Sequence, residues 1–501
     1  MTVTPRPQYA ASVQLADISP LATAPTVADV AVRGVTLDSR AVQPGDLYAA
    51  LPGANTHGAR FAADAVAAGA AAVLTDQDGE QLIGETAVPV VVVADPRGVL
   101  GEVSAHIYGN PARDLTMIGV TGTNGKTTMT YLLAAGLAAA GPVGIIGTTG
   151  VRISDEVLPS ARTTPEAPDV HALLAVMRER GVRTVAMEVS SHALALGRVD
   201  GIHFDVAAFT NLTQDHLDFH GSMTAYFEAK ADLFTPARSR RAIICIDDEW
   251  GQQLLATTAI PAESYAVSRA ADWGLIDVEQ TPTGAWRASA VGPDSVQVAL
   301  SSQLPGQFNQ ANALGALAVL VAAGLTPAAA AAGIATCPGV PGRMEAVASD
   351  ELGAYVDYAH TPDAVARAIE VARGFSAGRI LVALGCGGDR DAGKREEMGK
   401  VAAVAADVLI VTDDNPRSEE PATIRAAVLA GARQSGGRAE VSEIGDRAAA
   451  IAELVTRAQP GDAILVLGKG HETGQQIGDQ LIPFDDREQL AAALAGTRST
   501  A

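Results

Sequence analysis

The chain has 501 residues, more than one hydrophobic core usually serves, and this length predicts about three domains. Apolar residues make up 48% of the sequence and aromatic residues 4%, which is typical of an α/β protein whose helices pack through small side chains. The formal net charge is −21, and no block of lysine and arginine offsets it. The surface is therefore predicted to repel nucleic acid and anionic membranes, so anionic substrates must be captured by local sites.

Cysteine usage and hydropathy predict a cytoplasmic protein without membrane insertion. Cys245, Cys337 and Cys386 lie far apart and lack metal-ligand spacing, so reduced thiols are expected. The N-terminal stretch has no basic segment followed by an apolar core, which argues against a signal peptide. The most apolar stretch, residues 313–325, is shorter than the roughly 20 residues of a membrane span and predicts a buried helix.

Residues 1–110 are predicted to form a first, N-terminal α/β domain. A helical pattern over residues 61–69 precedes strand patterns over residues 71–75 and 90–94. Near its start, residues 38–40 (Asp-Ser-Arg) are equally compatible with a capping turn and with a binding site.

Residues 111–338 are predicted to form a central domain with a doubly wound parallel sheet. An apolar strand over residues 115–120 is followed by a glycine-rich loop and a helical pattern over residues 127–140. Further strand patterns cover residues 143–146, 184–187, 206–209 and 242–246. Ligands of such sheets bind beyond the carboxyl ends of the strands.

Residues 339–501 are predicted to form a third, Rossmann-like α/β domain. Strand patterns cover residues 355–356, 380–384, 408–411 and 463–467, and a helical pattern covers residues 362–373. The loops over residues 385–394, 413–421 and 468–475 should lie at the strand ends.

The loop Gly119 to Thr128, GVTGTNGKTT, predicts a phosphate-binding site for a nucleotide triphosphate. Between a strand and a helix, small residues expose backbone N–H groups, and the helix N-terminus favours negative charge. Lys126 would add a point charge, and the Thr127 hydroxyl would bind magnesium. Val120 stands where the general pattern has glycine, and the alternative is a strand-to-helix turn with an exposed lysine.

Residues 211–220, NLTQDHLDFH, combine acids and histidines without any zinc spacing. With Glu188 at a strand end and phosphate oxygens nearby, magnesium or manganese is the predicted metal. The alternative is a capped turn with structural histidines. Ser190 can contact an anionic substrate, whereas Lys230 sits in a helical pattern where a solvent-facing lysine is the default.

Two loops of the third domain carry charges of both signs among glycines. Residues 385–394 can bring backbone amides and Arg390 to an anion, and residues 413–417 present acid and base within one turn. Such a pair suits a zwitterion. The alternative is an ordinary surface turn with a local salt bridge.

The motifs of the whole chain, in order, resemble those of the Mur ligases, ATP-dependent enzymes that add amino acids during peptidoglycan synthesis. The resemblance rests on segments such as LDSR, GTNGKTT, MEVSSHAL, NLTQDHLDFHG, YFEAK, GQFNQANALGA, VDYAHTPDA, GCGGDRDAGKR, DDNPR and GKGHE. It implies the three-domain architecture of that family.

The resemblance also implies a role for individual residues. The UDP part of the substrate would be held by Leu37 and Ser39, and the muramoyl-dipeptide by Thr163, Thr164, Ser190 and Arg198. The ATP site would comprise Gly122, Thr123, Asn124, Gly125, Lys126, Thr127, Thr128, Asn309, Arg343 and Asp357. Magnesium would be bound by Thr127, Glu188, His216 and a carbamylated Lys230, and the catalytic set would be Lys126, Glu188, His216 and Lys230. The incoming diaminopimelate would be read by Arg390, Asp414, Asn415, Pro416, Arg417, Gly468 and Glu472.

The implied reaction is the addition of meso-diaminopimelate to UDP-N-acetylmuramoyl-L-alanyl-D-glutamate by a cytoplasmic monomer that uses ATP and Mg²⁺. Arg417 can grip the distal carboxylate of diaminopimelate in a bidentate pair, and lysine lacks that carboxylate. Addition of lysine or another diamino acid remains an alternative. More distant alternatives are folate polyglutamation and a nucleotide-dependent switch that joins nothing.

Three residues depart from patterns found among Mur ligases. Arg162 stands where some relatives have asparagine, and Leu196 where others have glutamine, and both substitutions affect the predicted dipeptide contacts. Cys245 replaces a common asparagine, and the sequence offers no physical account of this change.

Overall fold

The computed structural model describes residues 4–8, 12–18, 30–53, 55–281, 284–347, 352–389 and 391–498. These residues form three α/β units in chain order, each built on a mainly parallel sheet. The predicted three-domain α/β architecture is confirmed, while the domain bounds of 110/111 and 338/339 remain predictions.

The first unit contains a four-stranded parallel sheet in the order β3-β4-β5-β6. Its elements are β1 (Val13–Gln14), α1 (Leu15–Ile18), β2 (Ala31–Val32), β3 (Gly34–Thr36), β4 (Asp46–Ala49), α2 (Ala62–Ala67), β5 (Ala72–Thr75), α3 (Gln77–Ile83), β6 (Val90–Val92) and α4 (Pro96–Ile107). After β3, Asp38 accepts hydrogen bonds from the backbone and side chain of Arg40 and caps a short turn. Within the residues described, this favours the capping-turn interpretation of residues 38–40.

The second unit carries the glycine-rich loop. Its elements are β7 (Thr116–Thr121), α5 (Lys126–Leu137), β8 (Val143–Gly147), β9 (Gly150–Ile153), β10 (Glu156–Leu158), α6 (Ala167–Glu179), β11 (Thr184–Glu188), α7 (Ser191–Ala195), β12 (Val206–Phe209), α8 (Leu217–His220), α9 (Met223–Ala231), β13 (Ala242–Cys245), α10 (Glu249–Thr257), β14 (Ala262–Tyr265), β15 (Gly274–Gln280), β16 (Trp286–Val291), β17 (Gln297–Ser302), α11 (Gln307–Ala322) and α12 (Pro327–Ala335). The main sheet has the order β10-β9-β8-β11-β7-β12-β13-β14. Its parallel part was predicted, whereas the antiparallel edge strands β9 and β10 and the separate antiparallel sheet β15-β16-β17 were not.

Strand order brings the predicted site residues together. The neighbouring strands β11, β7 and β12 are parallel, so their carboxyl ends meet at one edge of the sheet. In this register Glu188 pairs with Val120, and Phe209 pairs with Thr121. The loops that follow these three strands therefore begin side by side.

Helix α5 fixes the glycine-rich loop to the core. Leu132 and Leu133 of α5 and Leu317 of α11 are fully buried in one cluster. Burial of each such side chain contributes about 1.5–3 kcal/mol. Residues 313–320 of α11 are all buried, which confirms the predicted buried helix. No helix among the described residues combines the length and the apolar character needed to cross a membrane.

The third unit is a six-stranded sheet in the order β18-β19-β23-β20-β21-β22, with β18 antiparallel at the edge. Its elements are β18 (Glu345–Ala346), β19 (Gly353–Asp357), α13 (Pro362–Phe375), β20 (Ile380–Leu384), α14 (Lys394–Ala405), β21 (Val408–Val411), α15 (Pro421–Gln434), β22 (Glu440–Glu443), α16 (Arg447–Arg457), β23 (Ala463–Leu467), β24 (Gly474–Ile477), β25 (Gln480–Pro483) and α17 (Asp486–Arg498). The loops after β20, β21 and β23 emerge at one edge, as predicted. The β24–β25 hairpin was not predicted.

Candidate active site

A cavity of 1690 Å³ lies between the second and third units. The glycine-rich loop and the ends of the neighbouring strands line it on one side. The loops that follow β19, β20, β21 and β23 line it on the other. The loops with predicted nucleotide and amino-acid contacts therefore share one cavity.

Two glycines give the loop after β7 its shape. Gly122 has a φ of 144°, and a Cβ atom there would lie 1.9 Å from the Thr210 hydroxyl oxygen. Gly125, the residue before α5, has a φ of 89°, and its Cβ would lie 2.4 Å from the amide oxygen of Asn312. Side chains at both positions would thus be strained and would collide. Val120 is instead a fully buried residue of β7, so the backbone of the loop does not require glycine at this position.

Lys126, the first residue of α5, folds back over this loop. Its Nζ donates to the carbonyl oxygens of Gly122 and Thr123, each at 2.9 Å. Burial lowers the pKa of Lys126, and the nearby Glu188 carboxylate opposes this shift. The amine and the N-terminus of α5 together form an electropositive end, which suits phosphate binding.

Glu188 is a buried carboxylate at the end of β11. Its Oε2 accepts hydrogen bonds from the hydroxyls of Thr127, at 3.1 Å, and Thr148, at 3.0 Å. Its Oε1 accepts from the backbone N–H of Thr148 at 2.9 Å. Three donors therefore stabilise the charge and aim the carboxylate at Thr127, and these two groups are oxygen ligands of the kind that magnesium prefers.

His216 contributes to an aromatic cluster beside the loop. Its ring lies 4.8 Å from that of His192, edge to face, and burial lowers its pKa. Among the described residues, no three His, Cys, Asp or Glu side chains form a group that could hold a metal. Magnesium binding by Thr127, Glu188, His216 and a modified Lys230 stays a prediction.

Lys230 is buried, so its default interpretation as a solvent-facing lysine is wrong. Its Nζ donates to the carbonyl oxygen of Gly122 at 3.0 Å and lies 4.6 Å from the centre of the Tyr226 ring. Burial, and then the neighbouring Lys126 ammonium, hold the pKa of Lys230 well below its usual value. A neutral amine is the form that reacts with carbon dioxide to give a carbamate, so this environment fits the implied modification.

Replacing Lys230 with methionine is expected to raise the free energy of unfolding of the ligand-free protein by about 1–2 kcal/mol, because an apolar side chain avoids desolvation of an amine. The pKa of Lys230 in the folded protein lies below its unfolded value of 10.5. Lys230 therefore destabilises the folded protein fully at pH values below the folded pKa, and this destabilisation disappears as the pH rises to 10.5. Urea unfolding at neutral and alkaline pH, in buffer free of carbon dioxide, measures this difference. A variant less stable than the wild type at neutral pH would contradict it.

The predicted dipeptide contacts Thr163, Thr164, Ser190 and Arg198 all line the cavity. The Thr164 hydroxyl donates to the Glu188 carbonyl oxygen at 2.7 Å and accepts from the Ser190 N–H at 3.1 Å. The Thr163 and Thr148 hydroxyls are 3.0 Å apart. Both threonines are thereby linked to the segment that carries Glu188.

Three arginines surround one carboxylate beside the predicted dipeptide contacts, and two of them, Arg162 and Arg198, line the cavity. Glu166 lies 3.3 Å from Arg97, 3.2 Å from Arg162 and 3.0 Å from Arg198. Three guanidinium groups against one carboxylate leave two positive charges in excess. Arg162, which departs from the family pattern, thus adds positive charge where an anionic substrate is predicted to bind.

Residues of the third unit reach the glycine-rich loop across the cavity. Arg343 donates from Nη2 to the Thr127 hydroxyl at 3.2 Å and lies 4.8 Å from the centre of the Tyr358 ring. At the end of β19, Asp357 accepts from the N–H groups of Met344 and Ala359, and burial raises its pKa. Both residues line the cavity, and their place at the nucleotide stays a prediction.

The remaining predictions fall in different places. Leu37 and Ser39 follow β3 in the first unit and are not among the described residues that line this cavity. Nor is Asn309, whose amide donates to the Pro305 carbonyl oxygen and accepts from Asn312. Arg390 lies outside the described residues.

The predicted amino-acid contacts line the cavity from the loops after β21 and β23. Asp414, Asn415, Arg417, Gly468 and Glu472 are lining residues, and Pro416 belongs to the same loop. The Arg417 guanidinium donates from Nη1 to the Gly388 carbonyl oxygen at 2.5 Å. Its backbone has a φ of 53°, a left-handed conformation uncommon for arginine.

Sequence reasoning missed several cavity residues. Thr148 directly follows β8, so the strand-end rule could have identified it. Asn312 approaches Gly125 from the middle of α11, where no local pattern reveals it. Cys245 lines the cavity, and burial raises the pKa of its thiol to about 12, so it is a neutral group there. Its Sγ lies 3.6 Å from a carboxylate oxygen of Asp247 as a weak donor, a contact that an asparagine amide could also make.

Comparison with known proteins agrees with this geometry. Three family models match: the Mur ligase family catalytic domain over residues 31–108, the Mur ligase middle domain over residues 120–320, and the Mur ligase glutamate ligase domain over residues 342–470. A protein of Streptomyces avermitilis named UDP-N-acetylmuramoyl-L-alanyl-D-glutamate--2,6-diaminopimelate ligase is 51% identical over 500 residues, covering 99% of each chain. A protein of the same name from Corynebacterium efficiens is 51% identical over 487 residues, covering 94% of this chain and 92% of its own.

A solved structure of a UDP-N-acetylmuramoyl-L-alanyl-D-glutamate--2,6-diaminopimelate ligase has a TM-score of 0.69 and 32% identity, covering 97% of this chain and 100% of its own. The family models and the relatives span the units that enclose the cavity. The chain therefore belongs to the Mur ligase family.

Proposed function

We propose that this protein adds meso-2,6-diaminopimelate to the D-glutamate of UDP-N-acetylmuramoyl-L-alanyl-D-glutamate, with conversion of ATP to ADP and phosphate, in peptidoglycan biosynthesis. The observation that carries the proposal is the single cavity lined by the phosphate loop, by Arg162 and Arg198 of the three-arginine cluster, and by the loop of Arg417. Relatives with that printed name, at about half identity over almost the whole chain, support the same substrates.

The glycine-rich loop would hold ATP by its backbone N–H groups and by the N-terminus of α5. Lys126 would move from the loop carbonyls to the γ-phosphoryl group and stabilise its charge during transfer. Arg343 and Asp357 would complete this site from the third unit.

The three-arginine cluster, with Thr163, Thr164 and Ser190, would orient the dipeptide. The D-glutamate side-chain carboxylate would attack the γ-phosphorus, forming an acyl phosphate and releasing ADP. The neutral amine of diaminopimelate would then attack the acyl carbon. The tetrahedral intermediate collapses with loss of phosphate and a proton, leaving the new amide.

Thr127, Glu188, His216 and a carbamylated Lys230 would hold magnesium. Bound magnesium would supply neutralisation of negative charge on the phosphoryl oxygens. The chain's own contribution is to fix Glu188 through the two threonine hydroxyls and, by burial, to lower the pKa of Lys230, which favours the neutral amine that is modified.

Diaminopimelate is favoured over lysine because Arg417 and Glu472 both line the cavity and present opposite charges. The distal ammonium and carboxylate of diaminopimelate complement this pair, whereas lysine provides only the ammonium.

We further infer a cytoplasmic monomer. The three cysteines, all in the described residues, are unpaired and buried, which agrees with reduced thiols.

The proposal is tested by incubating the protein with ATP, magnesium, UDP-N-acetylmuramoyl-L-alanyl-D-glutamate and either diaminopimelate or lysine, and measuring the amide product by mass spectrometry. Product formation with diaminopimelate, at a much higher kcat/KM than with lysine, is expected. Equal kcat/KM for both would contradict the assignment of Arg417. Phosphate release at the same rate without the acceptor and amino acid would instead indicate a nucleotide-dependent switch.

A further inference from the structure

Lys469 is a fully buried lysine in the loop after β23, next to the predicted contacts for the incoming amino acid. Its Nζ donates to the amide oxygen of Asn415 at 3.2 Å, to Oε2 of Glu472 at 3.2 Å and to the carbonyl oxygen of Gly474 at 2.5 Å. An ammonium group has three N–H donors, so these contacts use all of them. A buried cation with this many oriented partners is held in one position.

The contacts of Lys469 determine how the Asn415 amide is oriented. The amide oxygen accepts from both the Lys469 ammonium and the backbone N–H of Gln476, the latter at 2.9 Å. Because both of these groups can only donate, the oxygen must face them. The Asn415 Nδ2 then faces Glu472 and donates to its Oε2 at 2.7 Å.

The same contacts orient the Glu472 carboxylate. Its Oε2 accepts from both Asn415 and Lys469, so one oxygen is fixed by two donors. Lys469 also compensates the negative charge of Glu472, whose side chain is 31% exposed while that of Lys469 is inaccessible. The carboxylate therefore presents its other oxygen, Oε1, in a defined direction.

Lys469 also joins this pair to the β24–β25 hairpin. Gly474 is the first residue of the hairpin, and its carbonyl oxygen accepts from Nζ. Further along, the Arg417 N–H donates to the Gln476 carbonyl oxygen at 3.0 Å, and the Gly478 N–H donates to the Arg417 carbonyl oxygen at 2.7 Å. The hairpin thus holds the backbone of Arg417, and Lys469 holds the start of the hairpin.

We propose that Lys469 is a positioning residue for the amino-acid substrate: it fixes the Asn415 amide and the Glu472 carboxylate toward the ammonium end and, through the hairpin, supports Arg417 at the carboxylate end. This inference rests on the proposed function, because it assumes that the zwitterion is diaminopimelate. Lys469 itself is inaccessible and is not among the described residues that line the cavity.

Replacement of Lys469 by methionine tests this role. The variant should raise KM for meso-diaminopimelate at least about 10-fold, because loss of a charged donor frees the groups that it orients. The KM values for ATP and for the UDP-dipeptide should stay within about 2-fold of wild type, since their predicted contacts lie in other loops. Lys469→Arg keeps the charge but its planar fork cannot meet all three acceptors from one point, so an intermediate KM is expected.

Arg379→Met is the matched control. Arg379 lies just before β20, at the opposite end of the same sheet, where it donates to Asp462 and to the Arg457 carbonyl oxygen. This variant should lower the melting temperature without changing KM for diaminopimelate. It separates loss of stability in the third unit from loss of positioning.

An unchanged KM for diaminopimelate in Lys469→Met, or an equal rise of KM for all three substrates, would overturn the inference. If Lys469→Met does not fold, the same comparison is made with Lys469→Arg: a rise of KM for diaminopimelate without a rise for the other two substrates supports the inference, and an unchanged KM overturns it. An absence of product with the wild-type protein would overturn the proposed function and this inference with it. If the wild-type protein forms the product and the Lys469 variants have the same KM for diaminopimelate as the wild type, only the role of Lys469 is overturned.

Discussion

Replacing Lys126 with alanine is expected to lower kcat for ligation at least about 100-fold, the scale of losing one charge partner of a transition state. The reason is its location at the first residue of α5, where its Nζ lies 2.9 Å from two loop carbonyl oxygens. From there the amine can reach a phosphoryl group held by the same loop. Steady-state kinetics at saturating substrates, with product measured by mass spectrometry, gives the change in kcat.

The control for Lys126 is Lys400→Ala. Lys400 is an exposed lysine of α14 that pairs with Glu397 on the same helix, so its removal should leave kcat unchanged. Thermal unfolding of both variants checks that the loop still folds after Lys126 loses its carbonyl contacts. Near-normal turnover of a folded Lys126→Ala protein would remove this lysine from phosphoryl transfer.

Replacing Arg417 with asparagine is expected to reduce the preference for diaminopimelate over lysine by about 1,000-fold, because the distal carboxylate loses its bidentate partner. Asparagine is chosen because Arg417 has a φ of 53°, and asparagine adopts this conformation more readily than alanine does. The effect should appear as a fall in kcat/KM for diaminopimelate while kcat/KM for lysine stays low. Competition between the two amino acids in one reaction measures the ratio directly.

Ser418→Ala serves as the control for Arg417. Ser418 is the next residue of the loop, and its hydroxyl donates to Asp389 at 2.6 Å. Loss of this contact in Ser418→Ala disturbs the loop that carries Arg417 but keeps the guanidinium. The variant therefore tests whether a disturbed loop alone changes the preference for diaminopimelate over lysine. A retained preference in Arg417→Asn, or an equal loss in Ser418→Ala, would show that the guanidinium does not read the carboxylate.

Much of the scaffold was predictable because its strands are locally encoded. Residues 115–120, 184–187 and 206–209 are short apolar runs, and each forms a buried strand of the central sheet. The strand-end rule then placed Glu188 and the glycine-rich loop at one edge before any contact was known. Val120 looked like a defect in the loop and is instead a core residue.

Other features depend on contacts between distant segments, and no local pattern encodes them. Lys230 sits in an ordinary helical pattern, yet its amine reaches the carbonyl of Gly122 and is buried. The left-handed backbone of Arg417 is supported by hydrogen bonds to a hairpin some sixty residues later. Only the hairpin itself had a usable signal, because Gly478-Asp479 forms a two-residue loop between its strands.

The Thr127 hydroxyl links the phosphate loop of the second unit to Arg343 of the third. This hydroxyl donates to Glu188 and accepts from Arg343, so it joins two units of the protein and keeps one lone pair free. A ligand that binds through this lone pair would lie beside the Arg343 guanidinium, which would then turn to the ligand's own anionic oxygens. In the unliganded protein the hydrogen bond between Arg343 and Thr127 would hold the second and third units together, and its strength would set their open-to-closed equilibrium. A weaker hydrogen bond to Thr127, as expected in Arg343→Lys, would shift that equilibrium toward the open form and speed the release of ADP.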